Sequence, residues 1–334
     1  MTDTALQERY RGFVCDLDGV VYRGPTAVPH AVAALNNLPA AVVYATNNAS
    51  RTPQEVADHL VGLGLHTGPQ WVVNSSMAAA DVLACELAAG ATVLAIGGPG
   101  VAAALTGAGL HSVFDSDQPV AAVLQGYGTT VTAGDLAQAA YAIQRGARWV
   151  ATNDDLTLPT DRGIAPGNGA LVAAVAAAAG ARPRVTGKPH PPLYLMSARV
   201  LDQPLERVLA IGDRLETDIA GAVTAGMDSA LVLTGVHRAT DAALAPPEQR
   251  PRYVLGDLRD LALPYAEPLP TDDGFRCAGT RIRVDGAQLR VDASPESPPI
   301  EAVRAGIAAI WAAADHGAGE DRLRALASQL PGAS

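Results

Sequence analysis

A short apolar segment that runs directly into two aspartates constrains the fold of this chain more than any other feature. Residues 13–15 (FVC) are followed at once by residues 16–20 (DLDGV). In an extended chain, residues two apart point to the same side, so Asp16 and Asp18 converge if the chain stays extended that far. Gly19 then lets the backbone turn away. The pattern predicts a buried strand that ends in a pair of carboxylates.

Two carboxylates at this spacing suit phosphoryl transfer. One can attack phosphorus as a nucleophile, while the other protonates the leaving oxygen and later activates water. Two close anions repel each other and also repel a phosphate. A cation is therefore needed, and a magnesium ion with oxygen ligands is the expected one.

Lys188 is the single lysine of the chain, since the other 23 of its 24 basic residues are arginine. A chain that uses arginine almost everywhere keeps a lysine by chance or where a compact ammonium on a flexible stem is wanted. Lys188 lies in residues 186–189 (TGKP), directly after the short segment 184–185. A solvated surface lysine is the ordinary alternative. Its uniqueness and its local motif favour a functional position at a strand end.

Two other predicted strands also end in polar residues. Residues 41–45 (AVVYA) precede residues 46–48 (TNN), and Thr52 with Glu55 forms a capping box for the next helix. Ligands of open α/β sheets bind at such carboxyl ends of strands.

Residues 208–211 (VLAI) form the other strand and precede residues 212–218 (GDRLETD). Asp213 can add a carboxylate to the metal, and Asp218 can reach back from one helical turn later. The alternative is that Asp213 or Thr217 caps the following helix, which does not exclude ligation.

The motif spacing predicts an inserted domain. Thr46 and Lys188 are 142 residues apart, whereas a βαβ step needs only about 30. We therefore predict a catalytic core at residues 1–88 and 184–265 and an inserted α/β cap at 89–183, which excludes water and reads the substrate. The glycine-rich residues 96–101 lack the spacing of a dinucleotide-binding loop and predict a strand-to-helix turn within this cap.

A small α+β domain is predicted at residues 275–334. Residues 266–274 have the composition of a linker. A hairpin follows around Asp285 and Gly286, and then two helices near 299–314 and 320–329. About 65 residues are marginally stable alone, so we expect this tail to dock on the main body or on a second subunit. It shows no catalytic constellation.

Composition excludes several classes of protein. A net charge of −10 argues against nucleic-acid and anionic-membrane surfaces. Three scattered cysteines are too few for a disulfide framework or a zinc site and favour a reducing cytoplasm. The polar N-terminus predicts no signal peptide, and no segment is predicted to span a bilayer.

Taken together, residues 16–22, 46–48, 187–189 and 212–219 resemble the four motifs of the haloacid dehalogenase superfamily of phosphatases. The long insertion is similar to that of its C2-capped branch, subfamily IIA, which includes phosphoglycolate and glycerol-phosphate phosphatases. The resemblance covers residues from about 10 to 260. It implies a doubly wound parallel sheet with Rossmann-like topology, and it leaves the tail unexplained.

The resemblance also implies roles for the matching residues. Asp16 would be the nucleophile that forms an aspartyl-phosphate, and Asp18 the general acid and base. Mg²⁺ would be bound by Asp16, the main-chain carbonyl of Asp18 and Asp213, with Gly19 and Asp218 in support.

Thr46 and Lys188 would complete the catalytic set by holding the phosphoryl oxygens and neutralising charge. Residues from the second motif, the lysine motif and the cap would bind phosphate or substrate: Thr46, Asn47, Asn48, Lys188, Asn153 and Asn168.

The expected substrate is a small phosphorylated metabolite, with glycerol 3-phosphate first. Residues 152–159 (TNDDLTLP) resemble the cap segment of the phosphoglycolate and glycerol-phosphate enzymes, and Leu158 stands where pyridoxal-phosphate phosphatases tend to carry histidine. The alternatives are 2-phosphoglycolate, another metabolite or nucleotide monophosphate, a phosphotransferase reaction, and a non-enzymatic phospho-aspartate switch. Asp18 argues against the switch, which has no use for a general acid. A homo-oligomer through the cap or the C-terminal domain is left open.

Overall fold

The computed structural model describes residues 4–160 and 162–332, which form two compact units. The first unit contains residues 4–41 and 206–332, and the second contains residues 42–160 and 162–205. The predicted division into core, cap and C-terminal domain uses other boundaries and stays a prediction.

Strands and helices alternate through most of the described chain. The strands are β1 (Gly12–Cys15), β2 (Tyr22–Arg23), β3 (Thr26–Ala27), β4 (Val42–Thr46), β5 (Val72–Asn74), β6 (Thr92–Ile96), β7 (His111–Val113), β8 (Ala122–Gln125), β9 (Arg148–Ala151), β10 (Thr157–Thr160), β11 (Gly163–Pro166), β12 (Arg184–Val185), β13 (Val208–Gly212), β14 (Asp228–Val232), β15 (Tyr253–Leu255), β16 (Leu269–Thr271), β17 (Gly274–Cys277), β18 (Thr280–Asp285) and β19 (Gln288–Ala293). The α-helices are α1 (Ala31–Asn36), α2 (Pro53–Gly62), α3 (Ser75–Glu86), α4 (Pro99–Gly107), α5 (Ala133–Gln144), α6 (Asn168–Ala179), α7 (Pro192–Leu201), α8 (Ala220–Ala225), α9 (Ala239–Ala243), α10 (Pro299–Asp315) and α11 (Glu320–Ala327).

In the first unit, four parallel strands end at one common edge. They are ordered β15-β14-β13-β1, and Cys15 of β1 pairs with Ile211 of β13. Every residue of β1 and β13 is buried, which is the pattern of parallel strands covered on both faces. Asp16 and Asp213 therefore leave adjacent strands at the same edge. The α/β fold class predicted from the sequence is confirmed.

The second unit contains a five-stranded parallel sheet in the order β12-β9-β8-β6-β7. Strand β4 pairs in parallel with β5, which places Thr46 opposite Asn74. Strands β10 and β11 form a separate antiparallel hairpin. No helix among the described residues of either unit is long and apolar enough to cross a membrane.

The predicted start of α2 is confirmed. Thr52 Oγ1 accepts from the Glu55 N–H at 3.3 Å, and Glu55 accepts from the Thr52 N–H at 2.7 Å. These hydrogen bonds lower the pKa of the Glu55 carboxyl, because they stabilise its charged form. The predicted strand-to-helix turn within residues 96–101 is also confirmed, since β6 ends at Ile96 and α4 begins at Pro99.

The prediction that residues 266–274 form only a linker is wrong. They include β16, which pairs with β17 at the edge of the four-stranded sheet β16-β17-β18-β19. A proline removes a backbone donor and is tolerated in an edge strand, where one side of the strand has no partner. Pro270 therefore fits an edge strand, although its composition signals a loop. The predicted hairpin around Asp285 and Gly286 is β18 and β19.

The tail packs on the body of its own unit. This is the first of the two predicted arrangements, docking on the main body or on a second subunit. The apolar stripe of α10 (Val303, Ile307 and Ile310) is buried in one cluster with Leu231 of β14 and Val254 of β15. Burial of this stripe supplies the hydrophobic stabilisation that a short tail lacks alone.

A buried arginine joins α10 to the same body. Arg304 is 7% exposed, donates from Nε to the Val254 carbonyl at 2.8 Å, and pairs with Asp260 at 3.1 Å. Its guanidinium lies 4.1 Å from the ring centroid of Tyr265, a cation–π contact. The carboxylate of Asp260 also accepts from the Gly256 N–H at 2.9 Å. One side chain of the tail thus satisfies polar groups of two segments of the body.

We expect Arg304→Ala to lower the free energy of unfolding by about 3 kcal/mol, because the Asp260 carboxylate and the Val254 carbonyl lose the guanidinium that they bind. Urea titration followed by circular dichroism measures the change. Arg324→Ala is the matched control, because the ion pair of Arg324 with Glu320 is exposed, and it should leave the midpoint unchanged. Equal midpoints for Arg304→Ala and the wild type would contradict this account.

Burial of Cys277 makes stability depend on pH in the alkaline range. Burial raises the pKa of this thiol from 9.0 to about 11. Between these values the unfolded chain releases the proton and the folded chain keeps it, so the free energy of unfolding falls as pH rises. We expect Cys277→Ala to lose less of its free energy of unfolding as pH rises, by roughly 2 kcal/mol at most. Urea titrations at pH 8 and pH 10.5 measure the free energy of unfolding of the wild type, of Cys277→Ala and of the control Cys85→Ala, whose cysteine is exposed. An equal loss of this free energy between the two pH values in all three proteins would refute the account.

Candidate active site

Three carboxylates of the first unit lie together beyond the ends of β1 and β13. Ligand oxygens of Asp16, Asp213 and Asp218 are all within 4.8 Å of one another. Asp213 is 1% exposed and Asp218 is 4% exposed, whereas Asp16 is half-buried. Negative groups this close repel strongly where water is scarce, so the arrangement calls for a bound cation or for protons. The structure thus brings these three predicted residues together.

The loop after β14 holds Asp213. The Val236 N–H donates to Asp213 Oδ2 at 2.7 Å. Gly235 lies so close that a Cβ at this position would overlap the Asp213 carboxylate. The carboxylate is therefore held by a hydrogen bond and by close contact with backbone.

Gly19 approaches Asp213 from the turn after the adjacent strand, β1. Its φ is +84°, a conformation that side chains rarely adopt, and a Cβ there would also overlap the Asp213 carboxylate. The Gly19 carbonyl accepts from Thr234 Oγ1 at 3.0 Å. Asp18 precedes this turn and is exposed. The carboxylate of Asp18 is not part of the group of three found among the described residues.

Asp218 reaches the cluster from a π-helical turn, Leu215–Ile219, which precedes α8. Its Oδ2 accepts from the Arg214 N–H at 3.1 Å. A π-helical turn contains more residues than an α-helical one, and such turns occur often at functional sites. The interpretation that Asp213 or Thr217 caps this helix is wrong, since Arg214 is the N-cap residue and its side chain makes no cap bond.

Thr46 and Lys188 are buried polar residues of the second unit. Thr46 is 5% exposed and Lys188 is 3% exposed. Thr46 lies at the end of β4, and its Oγ1 accepts from the Asn48 N–H at 3.1 Å. The alternative of a solvated surface lysine is therefore wrong. A buried ammonium is costly unless negative or polar groups surround it.

Asn47 is bonded to the main chain of Lys188 in both directions. Its Oδ1 accepts from the Lys188 N–H at 2.8 Å, and its Nδ2 donates to the Lys188 carbonyl at 3.1 Å. The structure thus brings Asn47 and Lys188 together, but through the main chain of the lysine.

The other predicted asparagines use their side chains on nearby protein groups. Asn48 Oδ1 accepts from the N–H and the hydroxyl of Ser50. Asn153 and Asn168 are 4% and 1% exposed, and their amides donate to the carbonyls of Asn47 and Asn153 at 2.8 and 2.7 Å. Their roles as substrate ligands stay predictions.

Sequence reasoning missed the residues that support the loop after β4. Ser75 donates to the Asn47 carbonyl at 2.7 Å, Ser76 to the Ala49 carbonyl at 2.8 Å, and Asn74 to the Arg51 carbonyl at 2.9 Å. A signal was present, because these three polar residues directly follow the apolar residues of β5. The same pattern identified Thr46.

Known proteins are similar to this chain in sequence and in fold. The family models "Haloacid dehalogenase-like hydrolase" and "HAD-hydrolase-like" match residues 13–111 and 185–261. The D-glycerol 3-phosphate phosphatase of Mycobacterium tuberculosis is 40% identical over 93% of this chain and 86% of its own length. An acid sugar phosphatase of Staphylococcus haemolyticus is 36% identical over 75% of this chain and 95% of its own. A crystal structure of the M. tuberculosis glycerol phosphate phosphatase with magnesium is 41% identical, covers 92% of each chain and has a TM-score of 0.84.

The chain therefore belongs to the haloacid dehalogenase-like hydrolases, as its motifs indicated. The predicted enzyme class, a phosphoric monoester hydrolase, is also confirmed by these relatives, which are phosphatases. Neither family model reaches the tail after residue 265.

Gly235→Ala should lower phosphatase activity at least about tenfold, because the new Cβ displaces Asp213 from the carboxylate cluster. Gly256→Ala is the matched control. It lies in a loop of the same unit, and its Cβ would meet only ordinary contacts, at 3.7 Å or more. Hydrolysis of p-nitrophenyl phosphate measures both variants. Unchanged activity of Gly235→Ala would show that this contact does not position Asp213.

Proposed function

We propose that this chain is a Mg²⁺-dependent phosphatase that hydrolyses glycerol 3-phosphate to glycerol and phosphate. The observation that carries the proposal is the cluster of Asp16, Asp213 and Asp218. The substrate follows from the 40% identity with the D-glycerol 3-phosphate phosphatase of M. tuberculosis, which extends over most of both chains.

The donor set of the cluster fits Mg²⁺. Hard divalent cations prefer carboxylate and carbonyl oxygens, and an octahedral Mg²⁺ places its ligands roughly 3 to 4 Å apart. Asp16, Asp213 and the main-chain carbonyl of Asp18 would hold the ion, with Asp218 and Gly19 in support. Bound there, Mg²⁺ would supply positive charge that offsets the carboxylates and the phosphate. The related M. tuberculosis phosphatase binds magnesium in its crystal structure.

The reaction would proceed in two displacements at phosphorus. A carboxylate oxygen of Asp16 attacks, the bond between phosphorus and the glycerol oxygen breaks, and Asp18 donates a proton to that leaving oxygen. Asp18 then takes a proton from water, whose oxygen attacks the aspartyl-phosphate. Phosphate leaves, and the Asp16 carboxylate is restored. The exposure of Asp18 is compatible with proton exchange with solvent.

Residues of the second unit would bind the phosphoryl group. We propose that Thr46 holds its oxygens and that Lys188 neutralises the charge of Asp16 and of the transition state. The burial of both side chains supports this role, because electrostatic stabilisation is strongest where water is excluded.

Family membership and Asp18 favour hydrolysis over a phospho-aspartate switch.

The cap at residues 89–183 is proposed to select the substrate. The acid sugar phosphatase relative makes sugar phosphates a second group to test, beside 2-phosphoglycolate and nucleotide monophosphates. A cytoplasmic location and a homo-oligomer stay predictions, and light scattering tests the second.

Phosphate release from this panel, with and without Mg²⁺, tests the proposal. We expect Mg²⁺-dependent turnover with the highest kcat/KM for glycerol 3-phosphate. Asp16→Asn should lower turnover by at least about 10³-fold, because an amide is a poor nucleophile. Asp321→Asn on exposed α11 serves as the control with full activity. Turnover of Asp16→Asn would refute the nucleophile, preference for another monoester would refute the substrate, and transfer to added alcohol would indicate a phosphotransferase.

A further inference from the structure

The side-chain amide of Asn47 binds the main chain of Lys188 as a neighbouring β strand would. The two hydrogen bonds at 2.8 and 3.1 Å run in opposite directions between one amide side chain and one residue. Paired β strands use this same arrangement of donor and acceptor. Because both atoms of the amide are used, Asn47 fixes the position and the direction of the chain that carries the Lys188 side chain.

The donors of Asn47 are fully used by protein groups. A carboxamide nitrogen has two N–H donors, and Asn47 Nδ2 contacts the Lys188 carbonyl and Asp155 Oδ2, at 3.1 and 3.3 Å. Its Oδ1 is an acceptor, which a phosphate oxygen would repel. The side chain therefore has no donor left for a phosphate, although Asn47 stands in a phosphate-binding motif.

The same residue is connected to residues 153–155, which precede the β10–β11 hairpin. The Asn47 carbonyl accepts from Asn153 Nδ2 at 2.8 Å, and the Asn153 carbonyl accepts from Asn168 Nδ2 at 2.7 Å. The Gly167 N–H donates to the Leu156 carbonyl at 2.9 Å and closes the base of the hairpin. Leu156 at this base and Ile164 in β11 are 67% and 79% exposed.

Close packing also joins these segments. A Cβ at Gly187 would overlap the Thr152 carbonyl, and it would lie 2.7 Å from Asn47 Oδ1 and 3.2 Å from the Asn153 Cβ. The residue before Lys188 therefore touches both Asn47 and the chain that leads into residues 153–155. Backbone packed this tightly transmits displacement.

We propose that Asn47 is the positioning residue of Lys188 and that it couples Lys188 to residues 153–155 at the base of the β10–β11 hairpin. A ligand that shifts this hairpin then also shifts the catalytic lysine. The inference deepens the proposed function and rests on it for the role of Lys188. The hydrogen bonds themselves can be tested without any activity.

Lys188 provides its own spectroscopic probe, because it is the single lysine of the chain. Protein grown with ¹⁵N-lysine gives one main-chain amide signal in a ¹H–¹⁵N spectrum. We expect Asn47→Ala to move this signal upfield and to speed exchange of its proton with solvent at least about tenfold, because the acceptor of the Lys188 N–H is lost. Asn153→Ala should move it in the same direction by less.

Ser75→Ala is the matched control. Ser75 donates to the Asn47 carbonyl at 2.7 Å, so this variant removes a hydrogen bond to the same residue without touching the Lys188 main chain. Its Lys188 signal should stay close to the wild-type position. An unchanged signal in Asn47→Ala, or an equal shift in Ser75→Ala, would overturn the positioning role.

Kinetics then test whether Asn47 acts through Lys188. We expect Asn47→Ala to lower kcat about 10²-fold with KM within about twofold, because Lys188 acts on charge in the transition state. In a Lys188→Ala background, measured by single turnover, Asn47→Ala should cost less than about threefold. Multiplying losses, or a loss confined to KM, would instead assign Asn47 to phosphate binding.

A conservative pair of variants separates positioning from misfolding. Asn47→Asp keeps the acceptor for the Lys188 N–H, but it places a carboxylate oxygen against the Lys188 carbonyl and against the Asp155 carboxylate, at the contacts of 3.1 and 3.3 Å. A second substitution, at Asp155, repairs the contact with residue 155 alone, so we expect partial recovery. Asn47→Asp/Asp155→Asn restores a donor opposite an acceptor there, and it should recover kcat at least about fivefold over Asn47→Asp. No recovery would refute the coupling to residue 155. Failure of the proposed substrate would leave the ¹⁵N-lysine result intact, so the two failures are distinguishable.

Discussion

Mutual repulsion of Asp16, Asp213 and Asp218 is the constraint on which the first unit depends. The oxygens of the three carboxylates lie within 4.8 Å of one another. Their repulsion would move the side chains apart if nothing else held them. The strand register, the tight turn at Gly19 and the contact of Gly235 with Asp213 all act against that separation. The backbone of this unit therefore holds like charges together, and a bound Mg²⁺ would offset their repulsion.

The ends of the buried strands were predictable because burial leaves a simple pattern. An apolar run with a polar residue directly after it located β1, β4 and β13, and so located Asp16, Thr46 and Asp213. The capping box of α2 was predictable for a similar reason, since its two partners are three residues apart. Strand ends and helix caps depend mainly on residues that are close in sequence, so the sequence alone indicates them.

Features that depend on distant partners were not predictable in the same way. The amide of Asn47 finds the main chain of Lys188 141 residues away, and no pattern near either residue indicates that contact. In the π-helical turn that carries Asp218, the Leu215 N–H donates to His237 Nδ1 of the loop after β14 at 3.0 Å. The sequence of the turn alone resembles an ordinary helix start. Pro270 shows the opposite error, because composition predicts a linker and only the position at a sheet edge allows a strand.

The buried Arg304 has a consequence for how this chain could evolve. The acid sugar phosphatase relative matches only 75% of this chain, so this family also contains shorter members. In the present protein, loss of Arg304 within an intact tail would leave the Val254 carbonyl and Asp260 without the group that they bind, and loss of the whole tail would expose Leu231 and Val254 to water. The tail is thus not an exchangeable module that recombination could add or remove freely. Its loss would call for polar substitutions at the positions of β14 and β15 that α10 now covers.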